Sequence, residues 1–152
     1  MEIKDCLREL HDHYAVLFPA IEPMKVQQAS VGLVKAGVPP VPADYVHLLA
    51  ETNGLAWNGM TLFSLENIER DKGAFSHPGI VQNISFCQNN PLMKRRLLLG
   101  TGWEELFVYD AGLKQYLLMD RYSYDIIAVF ETVAAFLDWI CRPFRAQNPA
   151  DK

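Results

Sequence analysis

The chain has 152 residues, 50% of them hydrophobic and 21% charged, and 14 lysines and arginines against 18 aspartates and glutamates leave a net charge of −4. That length buries one core without a disulfide or metal staple, and the composition excludes a disordered chain. The acidic balance disfavours nucleic-acid binding through bulk positive charge, and no apolar run approaches the roughly 18 residues that span a bilayer. The first residues, Met1 to Asp5, are too charged to read as a secretory leader. Cys6, Cys87 and Cys141 are odd in number and widely spaced, which reads as reduced thiols in a cytoplasmic protein.

Ile3, Leu7, Leu10, Tyr14 and Leu17 fall on one stripe and predict a helix that Pro19 stops. A second helix is expected over Pro23 to Ala36, with Val26, Val31, Leu33 and Val34 on its apolar side and Gly37 just past its end. The run Val38 to Pro42 is extended, because a residue before proline avoids the helical region. Pro42 then opens a third helix with Tyr45, Leu48 and Leu49 on one face, left through Asn53-Gly54.

Beyond Gly54 the period changes to two. Leu55 to Trp57 and Met60 to Leu62 flank Asn58-Gly59, a strong hairpin signal. Residues 69–79 read as a polar surface loop, and Ile80 to Phe86 fits strand or helix equally. Leu97 to Leu99 runs into a turn at Gly100-Thr101-Gly102. Leu106 to Tyr109 and Tyr116 to Met119 are strands of a second hairpin, and the apolar Ile126 to Phe130 is expected as a central or covered strand. Val133, Phe136, Leu137 and Ile140 mark a closing helix that ends before Pro143. Helices, then strands, then a helix predict an α+β fold with a largely antiparallel sheet. The expected boundaries are one domain over residues 1–142 and a C-terminal tail over 143–152.

Chemistry-bearing residues are sparse. His11 and His13 stand roughly 200° apart around a helix, and His47 is isolated, so no metal is expected. Gly100-Thr101-Gly102 lacks the lysine and the helix N-terminus of a phosphate loop, so no nucleotide cofactor is expected either. Cys87 with His77 is the one thiol–imidazole pair worth naming, although a free cysteine more often serves as a small hydrophobe. Lys94-Arg95-Arg96 reads as a charged guard on a sheet edge. The richest exposed cluster is different: Trp103, Glu104 and Glu105 follow a glycine turn, and Arg121 and Tyr122 lie in a strand connection. Loop aromatics and arginine are not needed by a core and carry much of the energy of protein interfaces; the other reading is that these rings fold back over the sheet.

The stretch Pro42-Ala43-Asp44-Tyr45, then Leu48-Leu49 and Asn53-Gly54, resembles the SUKH superfamily, more narrowly its Smi/Knr-like (YrhA-like) bacterial branch. Leu99-Gly100, Phe107 to Asp110, Tyr116, Asp120, Val129-Phe130 and Phe136-Leu137 continue the likeness over about residues 20–141. Val41 stands where the family usually has leucine. The resemblance implies an α+β domain whose curved antiparallel sheet packs on N-terminal helices and a C-terminal helix. It also implies a non-enzymatic protein-binding role, with no catalytic residue to carry over. Many bacterial members are immunity proteins that neutralise a toxin, and fungal relatives bind other proteins in cell-wall regulation. The expected partner is therefore a toxin domain, met by Trp103, Glu104, Glu105, Arg121 and Tyr122; neither nucleic acid nor membrane is expected as one. The alternative is a small ligand-binding or hydrolase-like domain with a pocket near Cys87 and His77.

Overall fold

The computed structural model describes residues 2–146. Among them the order is α1 (Ile3–Asp12), β1 (Val16–Leu17), α2 (Pro23–Lys35), α3 (Ala43–Leu49), β2 (Leu55–Trp57), β3 (Met60–Leu62), β4 (Ile68–Arg70), β5 (Phe75–His77), α4 (Ile84–Gln88), β6 (Arg96–Thr101), β7 (Glu105–Asp110), β8 (Gln115–Asp120), β9 (Ile126–Phe130) and α5 (Val133–Ala146). Described strands form an antiparallel sheet in the order β1-β2-β3-β6-β7-β8-β9, and β4 pairs with β5 separately. This is the expected α+β class, with helices at both ends of the sequence around an antiparallel sheet.

The sheet is covered on both faces. On β7 and β8, Phe107 and Tyr116 point to α5: Phe107 stacks on Phe136 at 4.0 Å, and Tyr116 stacks on Phe107 at 5.7 Å. Strand alternation sends Val108, Asp110, Leu117 and Met119 to the opposite face. There the Arg96 guanidinium joins Asp110 at 2.9 Å, the carbonyl of Leu92 and the sulfur of Met119, so the segment around Leu92 lies over that side. Double cover explains why Leu97–Leu99, Leu106–Val108 and Tyr116–Met119 are continuous apolar runs that are buried throughout.

Several elements end where their own residues did not announce it. The first helix stops at Asp12, not at Pro19. The Ala15 N–H donates to the Leu10 carbonyl and the Tyr14 N–H to that of His11, with Tyr14 at φ +71°. That is a Schellman ending with tyrosine at the position glycine usually takes. Tyr14 consequently leaves the expected core stripe and is 93% exposed, while Leu17 joins β1. At the other end, α5 runs through Pro143 instead of stopping before it. Phe144 stacks on His13 at 3.8 Å, and Arg145 bridges Glu9 at 2.7 Å and Asp138 at 2.8 Å, so contacts with α1 hold a last turn that proline disfavours. Of the expected tail, residues 147–152 lie outside the described residues.

Other differences are smaller. Pro42 caps α3 instead of opening its first turn, and the Asp44 carboxylate accepts the Val133 N–H, so α3 caps α5. Gly54 has the expected positive φ of +88°, but α3 has already ended at Leu49. A side chain at Gly54 would meet the Leu62 carbonyl at 2.7 Å, so it serves close strand approach rather than a helix exit. On α2, Val26 and Leu33 are buried but Val31 and Val34 are exposed. The ambiguous 80–86 segment is a 3₁₀ turn leading into α4. Gly100 and Thr101 belong to β6 itself, with a bulge at Leu99, and β6 lies inside the sheet between β3 and β7. Strand β9, expected to be central or covered, is an edge strand with Ile126, Ile127 and Val129 exposed.

Phe136→Ala removes the ring stacked on Phe107 and should destabilise the protein by about 3–5 kcal/mol in a urea titration. A loss under about half a kcal/mol would place this helix face outside the core.

Candidate functional site

Three turns meet at one end of the sheet because antiparallel pairing puts them there. Thr61 faces Thr101 and Glu105 faces Asp120, so the β2–β3, β6–β7 and β8–β9 turns are neighbours. In the first, Asn58 and Gly59 have φ of +46° and +81°, as a two-residue hairpin demands. The second carries Trp103, and the third carries Tyr122. Each ring is 76% exposed. The Arg121 N–H donates to the Glu104 carbonyl at 2.7 Å, which ties the two sequence-predicted groups together.

Local hydrogen bonds give each turn its shape. Asp120 accepts the N–H groups of Tyr122 and Ser123, both at 2.8 Å, and the backbone bonds from Ser123 and Tyr122 hold its carboxyl below the ordinary carboxylate range. The turn that presents Tyr122 is thus built on an ionised aspartate. The Glu105 carboxylate folds back toward the Glu104 N–H at 3.3 Å, so it supports the turn as well as adding charge. Glu104, Glu105, Asp120 and Asp125 set four carboxylates against the one guanidinium of Arg121. This end of the molecule is acidic and aromatic.

Trp103 does not wave freely despite its exposure. A Cβ built on Gly59 would lie 1.9 Å from the indole Nε1, so the indole rests on the bare glycine backbone of the neighbouring turn. Asn58, beside that glycine, lines a cleft of about 740 Å³ with His13, Tyr14, Trp57, Trp139 and Phe144. The Trp57 indole N–H donates to the His13 carbonyl at 3.0 Å, and its ring meets Phe144 edge-on at 4.9 Å. Sequence reasoning missed this cleft, because Tyr14 fitted the core stripe and Phe144 lay beyond an expected helix stop.

The alternative site is not assembled. Residues 69–79 are largely exposed, as expected, but most of them belong to the β4–β5 hairpin instead of a loop, and His77 within it is buried. Its Nε2 hydrogen-bonds the Leu62 carbonyl at 2.8 Å, and its ring lies 4.5 Å from that of Phe18. Cys87 instead lines a cleft of about 400 Å³ with Gly37, Asn90 and Arg95. Among the described residues no hydrogen bond or ring contact joins the two. Burial pushes the Cys87 thiol up, against a weaker opposing bond from Leu98, which disfavours the nucleophilic thiolate. Lys94-Arg95-Arg96 guards no edge, since β6 is internal and Arg96 is committed to Asp110. Described residues contain no cluster of three metal-ligating side chains and no helix long and apolar enough to cross a membrane.

No family model, curated protein or solved structure matches the chain.

Two measurements follow from this geometry. Gly59→Ala should move the Trp103 indole, seen in near-ultraviolet circular dichroism, and cost about 1–2 kcal/mol for a side chain at positive φ. An unchanged spectrum would mean that the indole does not rest there. Burial lowers the His77 pKa below its ordinary 6.5 despite the bond to Leu62. The unfolded chain then binds the proton first, so this contribution to stability is complete above about pH 6.5 and is lost as the pH falls toward the folded value. Urea midpoints of His77→Gln should therefore change less than wild type between about pH 7 and 5. An equally steep fall in the variant would assign the effect to other groups.

Proposed function

We propose that the chain is a non-enzymatic, cytoplasmic protein-binding module whose partner is a basic protein domain. In the sense that the SUKH resemblance implies, it acts as an immunity protein that neutralises a cognate bacterial toxin. The observation that carries this reading is the tie between Arg121 and Glu104, which sets two exposed rings, Trp103 and Tyr122, within one acidic surface. Carboxylates there attract and orient a cationic partner during encounter, and rings of this size supply buried anchor area once it docks. The indole is already seated on Gly59, so less of its freedom is lost on binding.

The test is surface-binding kinetics against a cognate toxin domain, once the genes neighbouring this protein's own supply one. Trp103→Ala should weaken binding by about 2 kcal/mol or more. Replacing Glu104 and Glu105 by glutamine should mainly slow association and flatten its salt dependence. Unchanged kinetics in both variants, with thermal stability intact, would move the interface off this end of the sheet.

A further inference from the structure

The sheet ends at β9, and β9 is an unusual end. Among the described residues it pairs only with β8, so its outer main-chain groups face no other strand. Edge strands are normally blunted by lysine, proline, an inward charge or a bulge. Residues 126–130 read Ile-Ile-Ala-Val-Phe and contain none of the first three, so the bulge at Ile127 is the device present within β9. A bulge opposite Leu118 and Met119 leaves Ile127 as the extra residue, whereas Val129 and Phe130 pair regularly with Leu117 and Tyr116. Phe130 turns inward against Phe136 and Trp139. Ile126, Ile127 and Val129 are exposed by 48%, 53% and 48%. An open hydrogen-bonding edge lined by apolar side chains is a surface that another strand fits.

Charge decides which strand. Asp125 and Glu131, both exposed, stand immediately before and after β9, roughly 20 Å apart at strand rise. Neither has an ion-pair partner among the described residues. In an antiparallel pairing of two copies centred on Ala128, Asp125 of each copy faces Glu131 of the other. A parallel pairing in register sets Asp125 beside Asp125 and Glu131 beside Glu131. Like charges directly opposite destabilise a strand pair, so both arrangements disfavour a second copy.

We infer that the open edge of β9 takes up an extended strand from a different polypeptide, apolar along its middle and cationic at both ends. This inference rests on the protein-binding reading above. It uses other atoms, however: main-chain groups of β9 and the two flanking carboxylates, not Trp103. The β8–β9 turn that carries Tyr122 leads directly into this edge, so a basic partner seated at the acidic end has an apolar strand edge beside it.

The experiment uses the full chain and three end-blocked peptides. One alternates valine and threonine between terminal lysines, the second replaces those lysines with glutamates, and the third is the lysine peptide with alternate amides N-methylated. Expected results at low salt are binding of the lysine peptide with slowed amide exchange across residues 126–130. The glutamate peptide should bind about tenfold more weakly, and the N-methylated peptide should not bind. Asp125→Lys combined with Glu131→Lys should reverse the preference for lysine over glutamate ends. Trp103→Ala should leave all of this unchanged, which separates failure here from failure of the Trp103 face. The inference is overturned by no binding, by equal affinity for lysine and glutamate ends, by binding that survives N-methylation, or by protection at another surface. Slowed exchange in β9 that grows with protein concentration and needs no peptide would overturn it too, by showing a second copy on the edge. Should the double variant not fold, the three peptides on the wild-type chain still decide.

Discussion

One buried hydroxyl joins the helical and the sheet parts of this protein. Tyr45 on α3 is wholly enclosed, and its O–H donates to the Phe63 carbonyl at 2.6 Å, with the Leu99 carbonyl 3.3 Å away. Leu99 is the bulged residue of β6, and its carbonyl also accepts the Phe63 N–H at 2.8 Å. The phenol therefore sits where the small β2–β3 hairpin is handed on to the long strands. Burial pushes its pKa well above the ordinary 10, so the proton stays available for donation. An unpaired hydroxyl in this position would be costly, and so would unpaired carbonyls, which makes the docking of α3 specific as well as apolar. Asp44, next to it, accepts the first N–H of α5 and extends the same connection to the C-terminal helix.

The acidic aromatic end depends on that junction. Pairing of β3 with β6 sets the β2–β3 turn beside the β6–β7 turn, and only then does Gly59 lie beneath Trp103. The β7–β8 pairing does the same for Tyr122. A core organised for packing thus sends three loops to one place, and the chemistry of those loops is free to vary without disturbing what lies beneath.

Much of this could be read from residues alone, and the failures have physical causes. Continuous runs such as Leu106 to Tyr109 and the Asn58-Gly59 turn name strands and a hairpin because their period and backbone requirements are local. Trp103 and Tyr122 were legible as surface groups for a local reason too: one ring follows a glycine turn and the other sits in a polar strand connection. What set them side by side is a backbone bond between residues 104 and 121, and no local pattern encodes it. The helix end at Asp12 was hidden because tyrosine, not glycine, occupies the left-handed position. The last turn of α5 was hidden because contacts with α1 overrule proline. Strand β9 reads as buried because five apolar residues look alike at the centre and at an edge, and the burial of His77 was hidden because a short polar hairpin still turns one side chain inward.

The turn beyond Pro143 has a consequence for how the molecule opens. Proline removes one rung of the helical ladder, so residues 143–146 are helical chiefly while His13 stacks on Phe144 and Glu9 holds Arg145. The ends of α1 and α5, distant in sequence, thereby behave as one unit of local unfolding: fraying of either removes the partner of the other. The wall of the aromatic cleft shared by His13, Tyr14 and Phe144 is made of that same unit. Melting of the two helix ends would therefore remove that wall of the cleft in one step.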